Sequence, residues 1–215
     1  MIFDNYSTVC FDFDGVVVES SYLKTAAYKS LFEKYCPEKI DAIMDYHLQN
    51  SGIVRYKKIK DICEKIIGME YTAEVEKKMV AEYEDDIFRK VCECPEVPGA
   101  EKLLQNLKNS DKKIFIVSGT PDSELKKIIE ARKLKKYFDG VYGGSKSKEF
   151  WLSKIICETN ISNKEMIFIG DGLNDYEAAR DCRVDFIFRI TSENEYLKEK
   201  IIYLQLLKDY NNIIF

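Results

Sequence analysis

Apolar residues follow two rhythms along the chain. Near the start, Val9, Cys10, Phe11 and Phe13 form a short apolar run closed by acids and Gly15, which predicts a buried strand over residues 6–14. From about residue 20 to residue 92 the apolar positions recur at helical spacing. Tyr28, Leu31, Phe32 and Tyr35 come first, then Ile59, Ile62, Ile66 and Ile67, then Val80, Tyr83, Ile87 and Val91. Pro37 and Ser51-Gly52 divide this helical block. After Pro95-Glu96-Val97-Pro98-Gly99, helix and strand alternate. Residues 100–107 read as helix and 113–117 as a buried strand. Thr120-Pro121 reads as a helix start, with a threonine cap and a proline at the first helical position. A short strand near Val141-Tyr142, a helix over 148–158, a strand over 166–169, a helix over 175–181 and a last strand over 184–188 complete the series.

Continuous apolar strands alternating with helices predict an α/β fold, a Rossmann-like parallel sheet with helices on both faces. The helical block then sits as a small all-helical domain inserted after the first strand. The expected organisation is residues 1–15 and 93–215 as the α/β core and residues 16–92 as the insert.

Composition narrows the function. A chain of 215 residues with 46% hydrophobic and 13% aromatic residues can fold around its own core. Its 33 basic against 37 acidic residues leave a net charge of −4, which speaks against nucleic-acid binding. No run approaches 18 apolar residues, so no membrane span is expected. The N-terminal stretch lacks a basic region and is interrupted by Asp4, Asp12 and Asp14, which is not the pattern of a signal peptide. Seven cysteines without paired spacing read as reduced thiols in a cytoplasmic protein, because Cys92-Glu93-Cys94 is too tight for zinc. His47 is the only histidine, so serine–histidine, cysteine–histidine and histidine-rich metal chemistry would all have to run through it. Its setting reads as a helix end with an ordinary packing or surface role.

Parallel sheets bind ligands at the carboxyl ends of their strands. Four polar signals fall at such positions: Asp12-Phe13-Asp14-Gly15, Ser118-Gly119-Thr120, residues 145–148, and Gly170-Asp171-Gly172-Leu173-Asn174-Asp175. Asp12, Asp14, Asp171 and Asp175 are expected to converge on one mouth. Four carboxylates held together stay ionised only with a cation among them, and an all-oxygen site suits Mg²⁺. Ser118 and Lys148 supply the hydroxyl and the cation that a phosphate needs.

These four segments resemble the signature motifs of the haloacid dehalogenase-like (HAD) superfamily, and the helical block resembles its type-1 cap. Lys146 and Lys148 compete for the third motif. Lys148 fits better, because Lys-Glu-Phe-Trp-Leu opens a helix as the family's lysine does. The resemblance implies a Mg²⁺-dependent phosphatase acting on a small phosphate monoester, such as a sugar phosphate. Asp12 would be the nucleophile and Asp14 the general acid–base. Asp12, the Asp14 carbonyl, Asp171 and Asp175 would hold the metal, and Ser118, Gly119 and Lys148 the phosphoryl group. On the cap, Lys24 and Arg55 are expected to face the substrate, Arg55 as in β-phosphoglucomutase-like members. A phosphomutase of that kind is the alternative. Against it, Lys24 stands where the mutase has a histidine, and Met79 falls about where its phosphate-gripping cap lysine is expected. A receiver-type phospho-switch is disfavoured by the helical insert and by an acid pair on the first strand. A monomer or homodimer is expected.

Overall fold

The computed structural model describes residues 2–50 and 53–213, so the break expected at Ser51-Gly52 lies outside the described residues. One sheet holds six strands: β1 (Thr8–Phe11), β2 (Lys113–Val117), β3 (Gly140–Tyr142), β4 (Met166–Gly170), β5 (Asp185–Arg189) and β6 (Gln205–Leu207). Their order is β3-β2-β1-β4-β5-β6, and every neighbouring pair is parallel. The chain steps from β1 out to β2 and β3, then crosses back to lay β4 on the other side of β1. The topological switch, where such sheets open a crevice, therefore lies between β1 and β4. Their register runs from Thr8–Met166 to Phe11–Ile169, and the Asp12 amide extends it by donating to the Ile169 carbonyl at 2.9 Å. Asp12 and Asp171 thus leave the sheet almost side by side.

Among the described residues, eight α-helices accompany the strands: α1 (Ser21–Glu33), α2 (Ile40–Gln49), α3 (Arg55–Asp61), α4 (Ala73–Glu93), α5 (Ala100–Asn109), α6 (Asp122–Ala131), α7 (Lys148–Thr159) and α8 (Leu173–Cys182). The period of two along each strand divides the apolar residues between two layers. Val9, Phe11, Ile114, Ile116, Ile167 and Ile169 pack with Leu103, Leu104 and Leu107 of α5 and Leu125, Ile128 and Ile129 of α6. Cys10, Phe115, Val117, Met166 and Phe168 pack with Leu152 and Ile155 of α7 and Ala178 and Ala179 of α8. Burying a side chain such as Phe11 or Phe168 contributes roughly 1.5–3 kcal/mol, which is what fixes helices to both faces.

Four of the helices, α1 to α4, lie between β1 and β2, together with a π-helical turn over Ile62–Ile67 that continues α3. Their apolar faces, including Tyr28, Phe32, Ile43, Ile59, Met79, Tyr83 and Ile87, join the cluster on the α5–α6 side without a break. None of the described helices is long and apolar enough to cross a membrane.

The two segments that lead into and out of these helices pair with each other. Glu19 N–H donates to Pro95 O at 2.9 Å and Val97 N–H to Val17 O at 3.0 Å. Each segment is also gripped by an arginine. Arg132 Nη1, just beyond α6, donates to the carbonyls of Val91, Cys92 and Cys94 at 3.0, 3.0 and 2.7 Å. Arg189, the last residue of β5, is buried, and its Nη1 donates to Gly15 O at 2.7 Å. Its two terminal nitrogens also reach the Glu19 carboxylate at 3.0 and 2.6 Å.

Two expectations need correction. The strands do not end with β5. β6 is an edge strand of three residues in a stretch where Ile202 and Leu204 are exposed, so no buried run marks it. Pro121 also does not occupy the first turn of a helix. It precedes α6 in an extended conformation (φ −50°, ψ 139°), and the Thr120 hydroxyl is donated to Asp14 at 2.8 Å instead of capping.

Arg189→Met leaves the Glu19 carboxylate and the Gly15 carbonyl without their partner. Breaking a buried ion pair from one side costs about 3 kcal/mol, so the urea midpoint of the variant falls accordingly. A loss below about 1 kcal/mol would show that water replaces the guanidinium freely.

Candidate active site

β1 ends at Phe11, and the next residues supply the first acids because the chain must turn there. Gly15 adopts φ +72°, a left-handed conformation that favours glycine, and a Cβ at this position would lie 2.1 Å from Asp171 Oδ2. The glycine lets the turn pass directly beneath the carboxylate that follows β4.

Asp12, Asp171 and Asp175 each offer a carboxylate oxygen, and these oxygens all lie within 4.8 Å of one another. Asp175 is fixed by its own helix start, accepting from the Gly172 amide at 2.9 Å. Asp171 accepts from Ser21 Oγ at 3.0 Å, and its carbonyl accepts from Asn194 Nδ2 at 2.7 Å. Lys148 enters from the first turn of α7, whose start is capped by Ser147 Oγ accepting from Phe150 N–H at 3.2 Å. Its ammonium pairs with Asp175 and lies 3.1 Å from Asp12 Oδ2. Lys146 is exposed and rests beside the Phe150 ring, so Lys148 is the lysine that reaches the acids.

Burial pushes the Asp12 carboxyl up to about 7; Lys148 opposes this, while Asp175 and Asp14 add to it. Burial and the neighbouring charges of Asp12 and Asp175 likewise hold Asp171 well above the carboxylate range. The same two acids hold Lys148 firmly charged against its burial. Lys148 alone does not balance three close carboxylates.

Asp14 points elsewhere. Its carboxylate accepts from Ser20 Oγ at 2.5 Å, from Thr120 Oγ1 at 2.8 Å and from the Lys24 ammonium, which also donates to Thr120 at 2.8 Å. Burial works to raise its pKa, but Lys24 and the two hydroxyls outweigh it, so Asp14 sits below its usual value. Ser118, also buried, accepts from Thr120 N–H at 3.1 Å.

One cavity connects these groups with the helical insert. Asp12, Asp14, Ser118, Gly119, Lys148 and Asp171 form one wall, and Lys24, Arg55, Lys58, His47 and Tyr28 form the other. Every residue expected at the site lines this cavity except Asp175, which lies behind Lys148. Arg55 is buried and already matched, since it donates to Glu84 at 2.7 Å and to both oxygens of Glu124 at 2.9 and 2.7 Å. Sequence reasoning put Thr120 at the strand end but read it as a helix cap instead of a partner of Asp14, and missed Lys58 entirely. Lys58 stands three residues after Arg55, so the two share a helix face, a spacing that could have pointed to it. His47 has a packing role, its ring 4.3 Å from that of Tyr28, but it also borders the cavity.

The family described as haloacid dehalogenase-like hydrolase matches residues 9–188. The chain belongs to the haloacid dehalogenase-like hydrolases. A phosphorylated carbohydrates phosphatase of Thermotoga maritima is 24% identical over 188 residues, which cover 85% of this chain and 84% of that protein. Among solved structures, a β-phosphoglucomutase from Clostridium difficile superposes with a TM-score of 0.78 at 19% identity, covering 98% of this chain and 94% of that one. A predicted phosphoglycolate phosphatase from Haemophilus somnus gives 0.76 at 16% identity, with 96% and 95% covered. These two likenesses concern the fold.

Gly15→Ala forces a methyl group against Asp171 and Ser21 in a strained backbone conformation. The variant hydrolase is expected to fold with lowered thermal stability and to lose at least tenfold in kcat/KM, because Asp171 must move. Unchanged kcat/KM would show that the position of Asp171 does not matter to turnover.

Proposed function

We propose that the protein is a Mg²⁺-dependent phosphatase that hydrolyses a small phosphate monoester, a phosphorylated sugar or related metabolite, through an aspartyl-phosphate on Asp12. The observation that carries this reading is the placement of Asp12 beside Lys148 and two further acids while Asp14 is held apart by Lys24 and Thr120. Family membership and the activity named for the Thermotoga maritima relative support it. Residues 1–15 and 93–215 act as the catalytic core, and residues 16–92 as a cap over it. Seven free cysteines accord with a cytoplasmic enzyme.

Three carboxylate oxygens within 4.8 Å, with a charge demand that Lys148 does not meet alone, fit a hard cation such as Mg²⁺. Asp12, Asp171 and Asp175 would hold it, aided by the Asp14 carbonyl. When bound, the ion neutralises the acids and the transferring phosphoryl oxygens. An Asp12 oxygen attacks phosphorus, and the bond to the leaving alkoxide breaks. Asp14, ionised at rest, takes a proton from the adjacent Lys24 ammonium and hands it to that alkoxide. A water then attacks the phosphorus and gives its proton to Asp14, releasing inorganic phosphate and restoring Asp12. Lys148, with Ser118 and Gly119 at the end of β2, holds the phosphoryl group in place. The mutase alternative gains no support from Met79, which is sealed in the apolar core.

Phosphate release from p-nitrophenyl phosphate and sugar phosphates tests this function. EDTA is expected to abolish it and Mg²⁺ to restore it, while Asp12→Asn leaves almost none. Full turnover in metal-free buffer, or by Asp12→Asn, would overturn the reading.

Lys24→Met tests the role of Asp14 through pH. Lys24 holds the Asp14 pKa down, so its removal lets that pKa rise. With an activated aryl ester, loss of phosphate from Asp12 is the slow step and requires ionised Asp14. The acidic limb of the kcat profile is therefore expected to move to higher pH. An unmoved limb would separate Asp14 from water activation.

A further inference from the structure

Four cations border the cavity: Lys24, Arg55, Lys58 and Lys148. Three have carboxylate partners. Lys24 meets Asp14, Lys148 meets Asp12 and Asp175, and Arg55 meets Glu84 and Glu124. Lys58 differs. Among the described residues no carboxylate forms an ion pair with it, although it is only 3% exposed. Its ammonium finds the His47 Nδ1 and the His47 carbonyl at 3.5 Å each, both long for hydrogen bonds, and lies 5.3 Å over the Tyr28 ring.

A buried ammonium without a counter-charge is costly and is not an expected product of packing alone. Burial and the charge of Lys24 lower its pKa to about 7, and no acid counters them. Three helices combine to make this place, with Tyr28 from α1, His47 from α2 and Lys58 from α3. Burial and the two nearby ammonium groups keep His47 neutral. Its Nε2 lies 3.3 Å from Thr25 Oγ1, which in turn contacts Glu193 at 3.4 Å, so the acid facing this wall sits beyond a hydroxyl.

We propose that Lys58, flanked by His47, is an anion subsite that receives a second anionic group of the substrate, a carboxylate or a second phosphate, while the first phosphate reacts at Asp12. This rests on the phosphatase reading and narrows its substrate class to phosphate esters with two anionic ends. Arg55, expected from the sequence to face the substrate, borders the same cavity but already has its counter-charges. Its charge is spent on Glu84 and on Glu124 of α6, and its plane lies 4.4 Å over Tyr83. An entering anion supplies the partner that Lys58 lacks, and a charge-assisted hydrogen bond in such a place is worth about tenfold to a hundredfold in binding.

The test compares matched pairs of esters with the purified protein and Mg²⁺. Glycerol 3-phosphate against 3-phosphoglycerate reads a carboxylate, and fructose 6-phosphate against fructose 1,6-bisphosphate reads a second phosphate. At least one doubly anionic ester is expected to be favoured tenfold or more in kcat/KM, chiefly through KM. Lys58→Met is expected to remove that preference and Lys58→Arg to keep most of it. The wild-type ratio is read first and depends on no variant folding. Ratios below twofold in both pairs, with all esters turned over, would overturn the subsite and leave the phosphatase standing. A preference that survives Lys58→Met would also overturn it. No turnover of any ester, p-nitrophenyl phosphate included, would bring down the phosphatase reading and the subsite with it.

Discussion

Carboxylates that converge at the shared end of β1 and β4 impose the constraint to which the surrounding structure answers. Parallel pairing of these strands delivers Asp12 and Asp171 to one spot, and the first turn of α8 adds Asp175. Like charges so close and so buried are unfavourable unless something compensates them. Lys148 does part of this, and it can do so because α7 starts, capped by Ser147, where its first residue faces both Asp12 and Asp175. Gly15 belongs to the same solution. A side chain there would occupy the position of the Asp171 carboxylate, so the tight turn and the close acids require each other.

A second charge pair ties the insert to the sheet. Lys24 extends from α1 to Asp14 and Thr120, which follow β1 and β2. The protonation state of Asp14 therefore depends on where α1 stands, because withdrawing the ammonium removes the largest influence holding the pKa down. Other contacts across the mouth are similarly polar: Ser21 to Asp171, and Tyr196 Oη to the Leu48 carbonyl at 3.1 Å. Water can take over such bonds at small net cost. The linkers are held differently, by Arg132 and Arg189 and by their own backbone pairing. The buried Arg55–Glu124 pair, from α3 to α6, is the strongest polar contact between the insert and the sheet's helices.

The sheet was legible in the sequence because each central strand is buried on both faces and reads as an unbroken apolar run. Met166 to Gly170 is buried at every position. The acids were legible for a related reason: in a parallel sheet a polar residue directly after such a run stands at the ligand-binding edge. β6 was not legible, since an exposed edge strand of three residues buries too little to leave a pattern. Thr120 was misread because a threonine before a proline carries a local meaning, helix capping, that its tertiary neighbour Asp14 overrides.

Arg55 and Lys58 show where sequence reasoning stops. Their helix and spacing follow from periodicity, but which of the two is neutralised depends on Glu84 from α4 and Glu124 from α6, far away along the chain. Charge matching is a tertiary property, and only the folded chain reveals which cation is left over. This divides the cavity into two kinds of wall. The wall that holds the acids is dictated by strand ends and turns, so altering it disturbs the sheet itself. The opposite wall is assembled from single side chains on α1, α2 and α3, whose backbones are fixed by apolar residues on their other faces. Substitutions of Lys58 or His47 leave the acids where the sheet puts them, whereas Lys24, bonded to Asp14, couples the two walls.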